Sequence, residues 1–300
     1  MKYKVIFNPV AGNGNSLKAM ETIKQYASEN GIELEIHETT HPKHATEITR
    51  ELTSSNSEVN LICVGGDGTL NEVLNGIVNF EKTKLGIISS GAGNDFPRAA
   101  DLPSNEPIEA FKIILENNIR KVDYMIVNDN LRFINLLGCG LTADILIEFD
   151  KQRDRIQGSK NKYKILTFKK SLFYKPYNIG ISLDKGPFEF YDTVLFGAGN
   201  GISCGGGIKT MPNGIIDDGL ISVAFIKKMS HILILPRLMK VMKGRMCELK
   251  HVVMFTCKEL DIKLPENCSY ETDGVVYPPA RELNVKIGKE KLNLFSRKQN

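Results

Sequence analysis

Asp67 is the residue whose neighbours most invite chemistry. It stands in Gly65-Gly66-Asp67-Gly68-Thr69, directly after the apolar run Leu61 to Val64. Three glycines strip the turn of nearly every Cβ, so backbone N–H groups can approach an anion closely and positive φ carries no steric penalty. The apolar run is too short for a helix and has a β-branched bias, so it reads as a buried strand. A helix follows through about Val78, and Thr69 with Glu72 three residues on fits a capping box at its start. The positive end of that helix points at whatever the turn holds. A carboxylate suits an anion site when a cation lies between them, so the turn reads as a place for a magnesium-bound polyphosphate. A turn that only packed helix against sheet would not need three glycines around one acid.

Two further loops share the pattern. Asn8-Pro9-Val10-Ala11-Gly12-Asn13-Gly14-Asn15 follows a strand at Lys4 to Phe7 and leads into a helix from about Ser16. It resembles a dinucleotide fingerprint but lacks the third glycine. Ser89-Ser90-Gly91-Ala92-Gly93-Asn94-Asp95-Phe96-Pro97-Arg98 follows a strand at Lys84 to Ile88. Asn94 and Asp95 are read as shaping that loop and capping its helix, and Arg98 as pairing with Asp95 or pointing to phosphate. His41 and His44 flank Pro42 at a helix start and read as solvated. No Walker-type lysine motif is present. Taken as residues alone, Asp217-Asp218 is a plain turn before a strand from Leu220.

These loops need a scaffold. Strands and helices alternate over residues 1–122, which predicts a doubly wound parallel sheet covered on both faces. All three loops follow strands and so fall on the carboxyl edge, where open α/β sheets bind ligands. From 123 to 282 the pattern turns to strands with few helices between them, which predicts an antiparallel β-sandwich domain. Two helical stretches interrupt it, roughly Ala143 to Phe173 and Ser230 to Lys243. The last strands, near Leu283 to Ile287 and Leu292 to Phe295, are expected to return to the first domain with the rest of 283–300.

Composition sets the outer bounds. Three hundred residues with 42% apolar and 25% charged side chains can bury a full core. A net charge of +4 is too small for nucleic-acid binding by bulk charge. The six cysteines form no Cys-x-x-Cys pair, so no zinc site is suggested, and Cys63 reads as an apolar filler. No signal-like or membrane-spanning run is seen, which points to a cytoplasmic protein with reduced thiols.

The order Asn8-Pro9-Val10-Ala11-Gly12, Gly65-Gly66-Asp67-Gly68-Thr69 and Gly91-Ala92-Gly93-Asn94-Asp95-Phe96 resembles the diacylglycerol kinase catalytic family, in its soluble bacterial branch related to sphingosine and ceramide kinases. The resemblance continues through Asn200 to Gly207 and Met211 to Leu220, and ends in Thr272-Asp273-Gly274. The glycine-aspartate turn alone also looks like that of NAD kinases and phosphofructokinases. The resemblance implies an NAD kinase/phosphofructokinase-like ATP-binding domain facing a β-sandwich domain across a cleft. It also implies transfer of the γ-phosphoryl group to a lipid hydroxyl, most simply diacylglycerol to phosphatidic acid. Carried over, Asn8, Pro9, Val10, Ala11, Gly12, Thr39, Gly65, Gly66, Asp67, Gly68, Thr69, Leu70, Asn71 and Ala92 line the ATP site. Ile215 and Leu220, through backbone oxygens, and Asp218, through its carboxylate, hold Mg2+, for which hard oxygen ligands are suited.

Two positions depart from the family. Ala92 replaces a threonine, so a hydroxyl contact to the nucleotide is missing or comes from Ser89 or Ser90. Val275 replaces the glutamate of an Asp-Gly-Glu run, the family's proposed general base. Glu271, Asp273 and position 275 share one face of an extended segment, so Glu271 or Asp273 is expected to assist Asp67 in catalysis. Loss of the base also leaves room for a catalytically impaired nucleotide- and lipid-binding protein. An NAD kinase-like enzyme is the other alternative.

A lipid substrate requires a route to the bilayer. Residues 151–175 carry Lys151, Arg153, Arg155, Lys160, Lys162, Lys164, Lys169, Lys170 and Lys175, interleaved with Ile165, Leu166, Phe168, Leu172, Phe173 and Tyr174. Such a segment suits peripheral contact with an anionic membrane, at about 1 kcal/mol per basic residue near the surface. The stretch Ile232 to Lys243 is a second candidate. An exposed β-edge could support a homodimer.

Overall fold

A computed structural model describes residues 2–152, 160–230, 237, 239–241 and 243–298. The chain divides into two compact units, Met1–Tyr124 with Gly288–Asn300, and Met125–Ile287.

The first unit runs β1 (Lys2–Phe7), α1 (Asn15–Glu29), β2 (Glu33–Glu38), α2 (His44–Thr53), β3 (Val59–Gly65), α3 (Asp67–Gly76) and β4 (Thr83–Ser89). It continues with α4 (Asp95–Ala99), α5 (Pro107–Leu115) and β5 (Ile119–Val122). Its sheet has the order β2-β1-β3-β4, then a strand from the chain's end (Leu292–Phe295), then β5. The pairs from β2 to that strand are parallel, and only its pairing with β5 is antiparallel. The chain leaves β1 towards β2 on one side, then crosses back to β3 and β4 on the other. That makes β1/β3 the switch point, where a crevice opens at the carboxyl ends of open α/β sheets. Ala19, Met20, Ile23 and Ala27 of α1 and Ala110, Phe111 and Ile114 of α5 bury one face against Val5, Phe7, Ile62, Val64 and Ile88. Each large side chain buried this way contributes about 1.5–3 kcal/mol. The frame under the loops is therefore stiff.

The second unit contains β6 (Met125–Val127), β7 (Leu131–Phe133), β8 (Leu136–Gly140), α6 (Leu141–Lys151) and α7 (Lys160–Leu172). Next come β9 (Tyr177–Leu183), β10 (Glu189–Gly199), β11 (Ile221–Lys227), β12 (Val252–Cys257) and β13 (Glu259–Lys263). The series closes with β14 (Tyr270–Thr272), β15 (Val275–Tyr277) and β16 (Glu282–Ile287); the returning strand of the first unit is β17. The unit is an antiparallel β-sandwich made from one branching ladder. The long β10 pairs with β11 on one edge, and on the other with β9 along its first half and β8 along its second. A register shift falls between Thr193 and Leu195, where the strand passes from one partner to the next. Phe133, Leu137, Ile179, Phe196, Phe225, Leu260 and Val285 meet in one core. On the far face of β10 and β11, Val194, Ala224 and Ile226 pack with Leu141 and Ile145 of α6. Both faces of β11 are thus covered, and it reads as a near-continuous apolar run.

Two expectations change. Of the two closing strands, β16 pairs with β13 and β6 and belongs to the second unit, while β17 alone enters the first sheet. Among the described residues, the helical stretch expected over 143–173 comprises α6, which begins earlier at Leu141, and α7. Arg153 and Arg155, and most of the Ile232 to Lys243 stretch, lie outside the described residues.

Candidate active site

Strand register brings the three glycine loops to one rim. Phe7 pairs with Val64 and Val64 with Ile88, so Asn8, Gly65 and Ser89 leave the sheet at the same level. Hydrogen bonds then tie loop to loop. Asn8 N–H donates to Val64 O at 3.1 Å and Ser90 N–H to Gly65 O at 2.8 Å. Asn8 Nδ2 donates to Thr69 Oγ1 at 2.9 Å across the switch point. Asn8 Oδ1 accepts Val10 N–H at 3.2 Å, which turns the first loop over the rim.

The glycines are required by these close approaches. Gly12 has φ +62° and packs so tightly that a Cβ there would lie 1.7 Å from Ser90 O. A Cβ on Gly91 would lie 2.6 Å from Gly66 Cα, and one on Gly93 2.5 Å from Asp67 Oδ2. The result is a rim walled by backbone, the arrangement from which N–H groups can approach an anion closely.

Asp67 begins α3, and its Oδ1 accepts Asp95 N–H at 2.9 Å. Its acid is thereby fixed by the third loop. Asn94 has φ +53°, and its Oδ1 accepts Gly91 N–H at 2.9 Å, which shapes the turn. Arg98 Nη1 donates to Gly93 O, to Asn94 O at 3.0 Å and to Asp95 Oδ1 at 3.2 Å, so it braces its own loop. Thr39 is buried, with its N–H on Phe7 O at 2.9 Å, at the same end of the sheet. Pro9 and Ala11 are half-buried and Val10 is exposed. Leu70 and Asn71 are buried within α3, and Ala92 is exposed. Burial, with the nearby charges of Glu72 and Asp67, pushes the Cys63 thiol up to about 12, so it stays protonated and inert.

The capping box at Thr69 and Glu72 does not form. The helix starts two residues earlier, at Asp67, and Thr69 Oγ1 is taken by Asn8. The Glu72 carboxylate instead accepts the N–H groups of Lys43 and Ala45 at 3.0 and 3.3 Å, capping the start of α2. Local spacing suggested the box, and tertiary partners replaced it.

In the second unit, Asp273 and Gly274 form the two-residue turn of the β14–β15 hairpin, with φ +49° and +84°. Positive φ at both positions is the type I′ pattern that Asp-Gly favours. The Asp273 carboxylate accepts backbone N–H groups from Ile134 at 2.9 Å, Asn135 at 2.9 Å and Leu136 at 3.0 Å. Glu271 is 3% exposed and accepts Gly274 N–H at 3.0 Å. Its Oε1 lies 2.4 Å from where a Gly138 Cβ would be, so Gly138 makes its space. Val275 starts β15 at the surface. Sequence reasoning missed the anchoring role of Asp273; its Asp-Gly turn signature was legible, but the N–H groups it holds lie more than 130 residues away.

Asp218 is exposed and its Oδ1 accepts Leu220 N–H at 3.0 Å, folding residues 218–220 into a tight turn. Asn200 is fully buried, and in its satisfied orientation its amide donates to Leu220 O at 2.9 Å. A carbonyl oxygen has a second lone pair. Asp218 therefore offers a carboxylate and Leu220 a carbonyl oxygen, hard donors that suit a divalent ion, while Ile215 is exposed. His41, His44 and Glu47 form a separate group with ligating atoms within 4.8 Å, at the start of α2. The His44 ring there accepts Thr40 N–H through Nδ1 at 3.1 Å.

An α/β unit with glycine turns converging on an acid at its switch point, in one chain with an antiparallel sandwich, defines a class of two-unit proteins. Comparison with known proteins makes the class specific. Residues 2–127 match the diacylglycerol kinase catalytic domain, and residues 140–294 match the YegS C-terminal NAD kinase beta sandwich-like domain. The second match spans more than half of the chain, which therefore belongs to the family of the YegS C-terminal NAD kinase beta sandwich-like domain, here preceded by a match to the diacylglycerol kinase catalytic domain. It is 26% identical over 273 residues to a diacylglycerol kinase of Bacillus subtilis (strain 168), covering 90% of this chain and 88% of that protein. It is 28% identical over 283 residues to one of Staphylococcus aureus (strain MRSA252), covering 94% and 81%. Among solved structures, a diacylglycerol kinase from Bacillus anthracis str. Sterne superposes with a TM-score of 0.69 at 22% identity, covering 99% and 97%. An NAD kinase from Archaeoglobus fulgidus in complex with ATP gives 0.53 at 11% identity, covering 99% and 94%. These two likenesses establish the fold.

Proposed function

We propose that the chain is an ATP- and magnesium-dependent lipid kinase, with diacylglycerol as the favoured acceptor and phosphatidic acid as product. The observation that carries this reading is the meeting of three glycine loops over Asp67 at the carboxyl rim of the first sheet. Asn8, Pro9, Val10, Ala11, Gly12, Thr39, Gly65 to Asn71 and Ala92 supply the ATP site, with the phosphates over the backbone-walled rim. In the transfer, the lipid hydroxyl oxygen bonds to the γ-phosphorus as the bond to the bridging oxygen breaks. ADP leaves with that electron pair. The hydroxyl proton passes to Asp67, whose orientation Asp95 N–H fixes. Ile215, Asp218 and Leu220 would hold magnesium, which neutralises phosphate charge. Asp273 and Glu271, both engaged by backbone N–H groups, act by holding the hairpin.

Access to the lipid is assigned to α7. Leu166, Thr167 and Ser171 are buried along one side of it, while Ile165 and Phe168 are 55% and 39% exposed on the other. Phe173, just past its end, is 81% exposed, and Lys169 and Lys175 are exposed beside this stripe. An apolar stripe edged by lysines suits the interface of an anionic bilayer. No helix among the described residues is long and apolar enough to cross a membrane.

The test is labelled ATP offered with diacylglycerol in phosphatidylglycerol vesicles, with NAD, or with no acceptor. Label in phosphatidic acid supports the reading. Label in NAD would favour an NAD kinase-like enzyme. A second reading, a nucleotide- and lipid-binding protein without turnover, rests on Val275 and on the engagement of Asp273 and Glu271; binding without transfer would select it.

A further inference from the structure

Ser90 is buried, at 2% exposure, and its hydroxyl has no hydrogen-bond partner. Its neighbour Ser89 is equally buried, but Ser89 Oγ donates to Pro103 O at 3.2 Å. The position of Ser90 is notable. Its N–H is bonded to Gly65 O, and its own carbonyl oxygen is the atom against which Gly12 packs. Ser90 therefore joins the first loop to the second, at the rim where the phosphates are assigned.

A buried hydroxyl left unpaired is costly, and natural cores retain few of them. One retained between two backbone-walled loops suggests a partner that arrives from outside the protein. The chemistry of that partner is constrained. A hydroxyl donates one proton and seeks an acceptor, and a phosphate oxygen is a strong one. The segment packed against the Ser90 carbonyl, residues 11–14, is a short turn in which Gly12 and Asn13 take left-handed values.

We propose that Ser90 Oγ is a phosphate-binding donor of the nucleotide site, taking up its hydrogen bond when the polyphosphate settles under the 8–14 loop. This rests on the assignment of ATP to the rim and singles out Ser90, rather than Ser89, as the hydroxyl donor of the third loop. It also separates the two serines. Ser89 holds the third loop to Pro103, and Ser90 holds the ligand.

The experiment compares wild type, Ser90→Ala and Ser89→Ala for thermal stability and for affinity towards ATP and inorganic pyrophosphate. A hydrogen bond to a charged group corresponds to about ten- to a hundredfold in affinity. Ser90→Ala is expected to melt at or above the wild-type temperature and to bind both ligands about tenfold or more weakly. Ser89→Ala is expected to melt lower with affinity nearly kept. Unchanged affinity in Ser90→Ala, or a fall in its melting temperature, would overturn the proposal while leaving the ATP site intact. If wild type itself binds neither ligand, the assignment of ATP to the rim fails along with it.

Discussion

Asp273→Asn distinguishes an acid that holds a turn from one that takes a proton. The native carboxylate accepts three backbone N–H groups, from Ile134, Asn135 and Leu136, at 2.9 to 3.0 Å. Asn keeps the backbone, because it adopts the left-handed region readily and Asn-Gly is a preferred type I′ pair. What changes is the charge and one acceptor. With the amide oxygen turned to Asn135 and Leu136, the NH2 group faces Ile134 N–H, donor against donor. A bond to a charged group contributes about 1.5–3 kcal/mol, and a buried donor left unsatisfied costs about 1–3 kcal/mol. The two overlap, so the expected loss is about 2–4 kcal/mol. At about 2–4 °C per kcal/mol for a unit of this size, the melting midpoint should fall by about 5–15 °C. The assay is a circular-dichroism melt paired with turnover measured well below the transition. A lowered midpoint with turnover kept within a few fold is the expected outcome. An unchanged midpoint with turnover lost by about 100-fold or more, the range of general-base removal, would refute the reasoning.

Asp67→Asn should do the reverse, lowering turnover by about 10²–10⁴-fold with little change in melting; wild-type turnover would remove Asp67 from the chemistry. Gly12→Ala places a Cβ 1.7 Å from Ser90 O and adds about 1–2 kcal/mol of left-handed strain, so ATP affinity should drop while the sheet stays folded. Titration calorimetry with a circular-dichroism spectrum checks both. Burial holds the Asp144 carboxyl above its ordinary 3.8, an effect partly offset by the Tyr177 hydroxyl and Lys170. The folded chain thus binds that proton more readily than the unfolded one, and the favourable contribution is lost as pH rises through the folded value. Asp144→Asn should therefore melt above wild type at pH 7, with the difference closing as pH falls below 3.8. A difference that grows on acidification would contradict it.

The rim was legible because each of its loops carries its own sign: a strand, then glycines, then a helix. Register, which the sequence does not spell out, was supplied by the parallel pairing of β1, β3 and β4. What escaped were partners distant in the chain. Glu72 looked like a local cap and serves a helix that starts 28 residues earlier. Asp273 drew a catalytic reading by its place in a motif, and its N–H donors come from the segment that breaks β7 from β8. The sandwich was readable from strand spacing, but its branching at β10 depends on a register shift no periodicity reveals. Ser90 was one of two equivalent serines until Pro103 claimed the other.

The central claim is that three turns at one rim grip a nucleotide's phosphates. Isothermal titration of the full chain with ATP and magnesium tests it most directly. The account predicts one saturable site whose affinity falls in Gly12→Ala and Ser90→Ala. Absence of binding by any adenine nucleotide to the folded wild-type chain would contradict it.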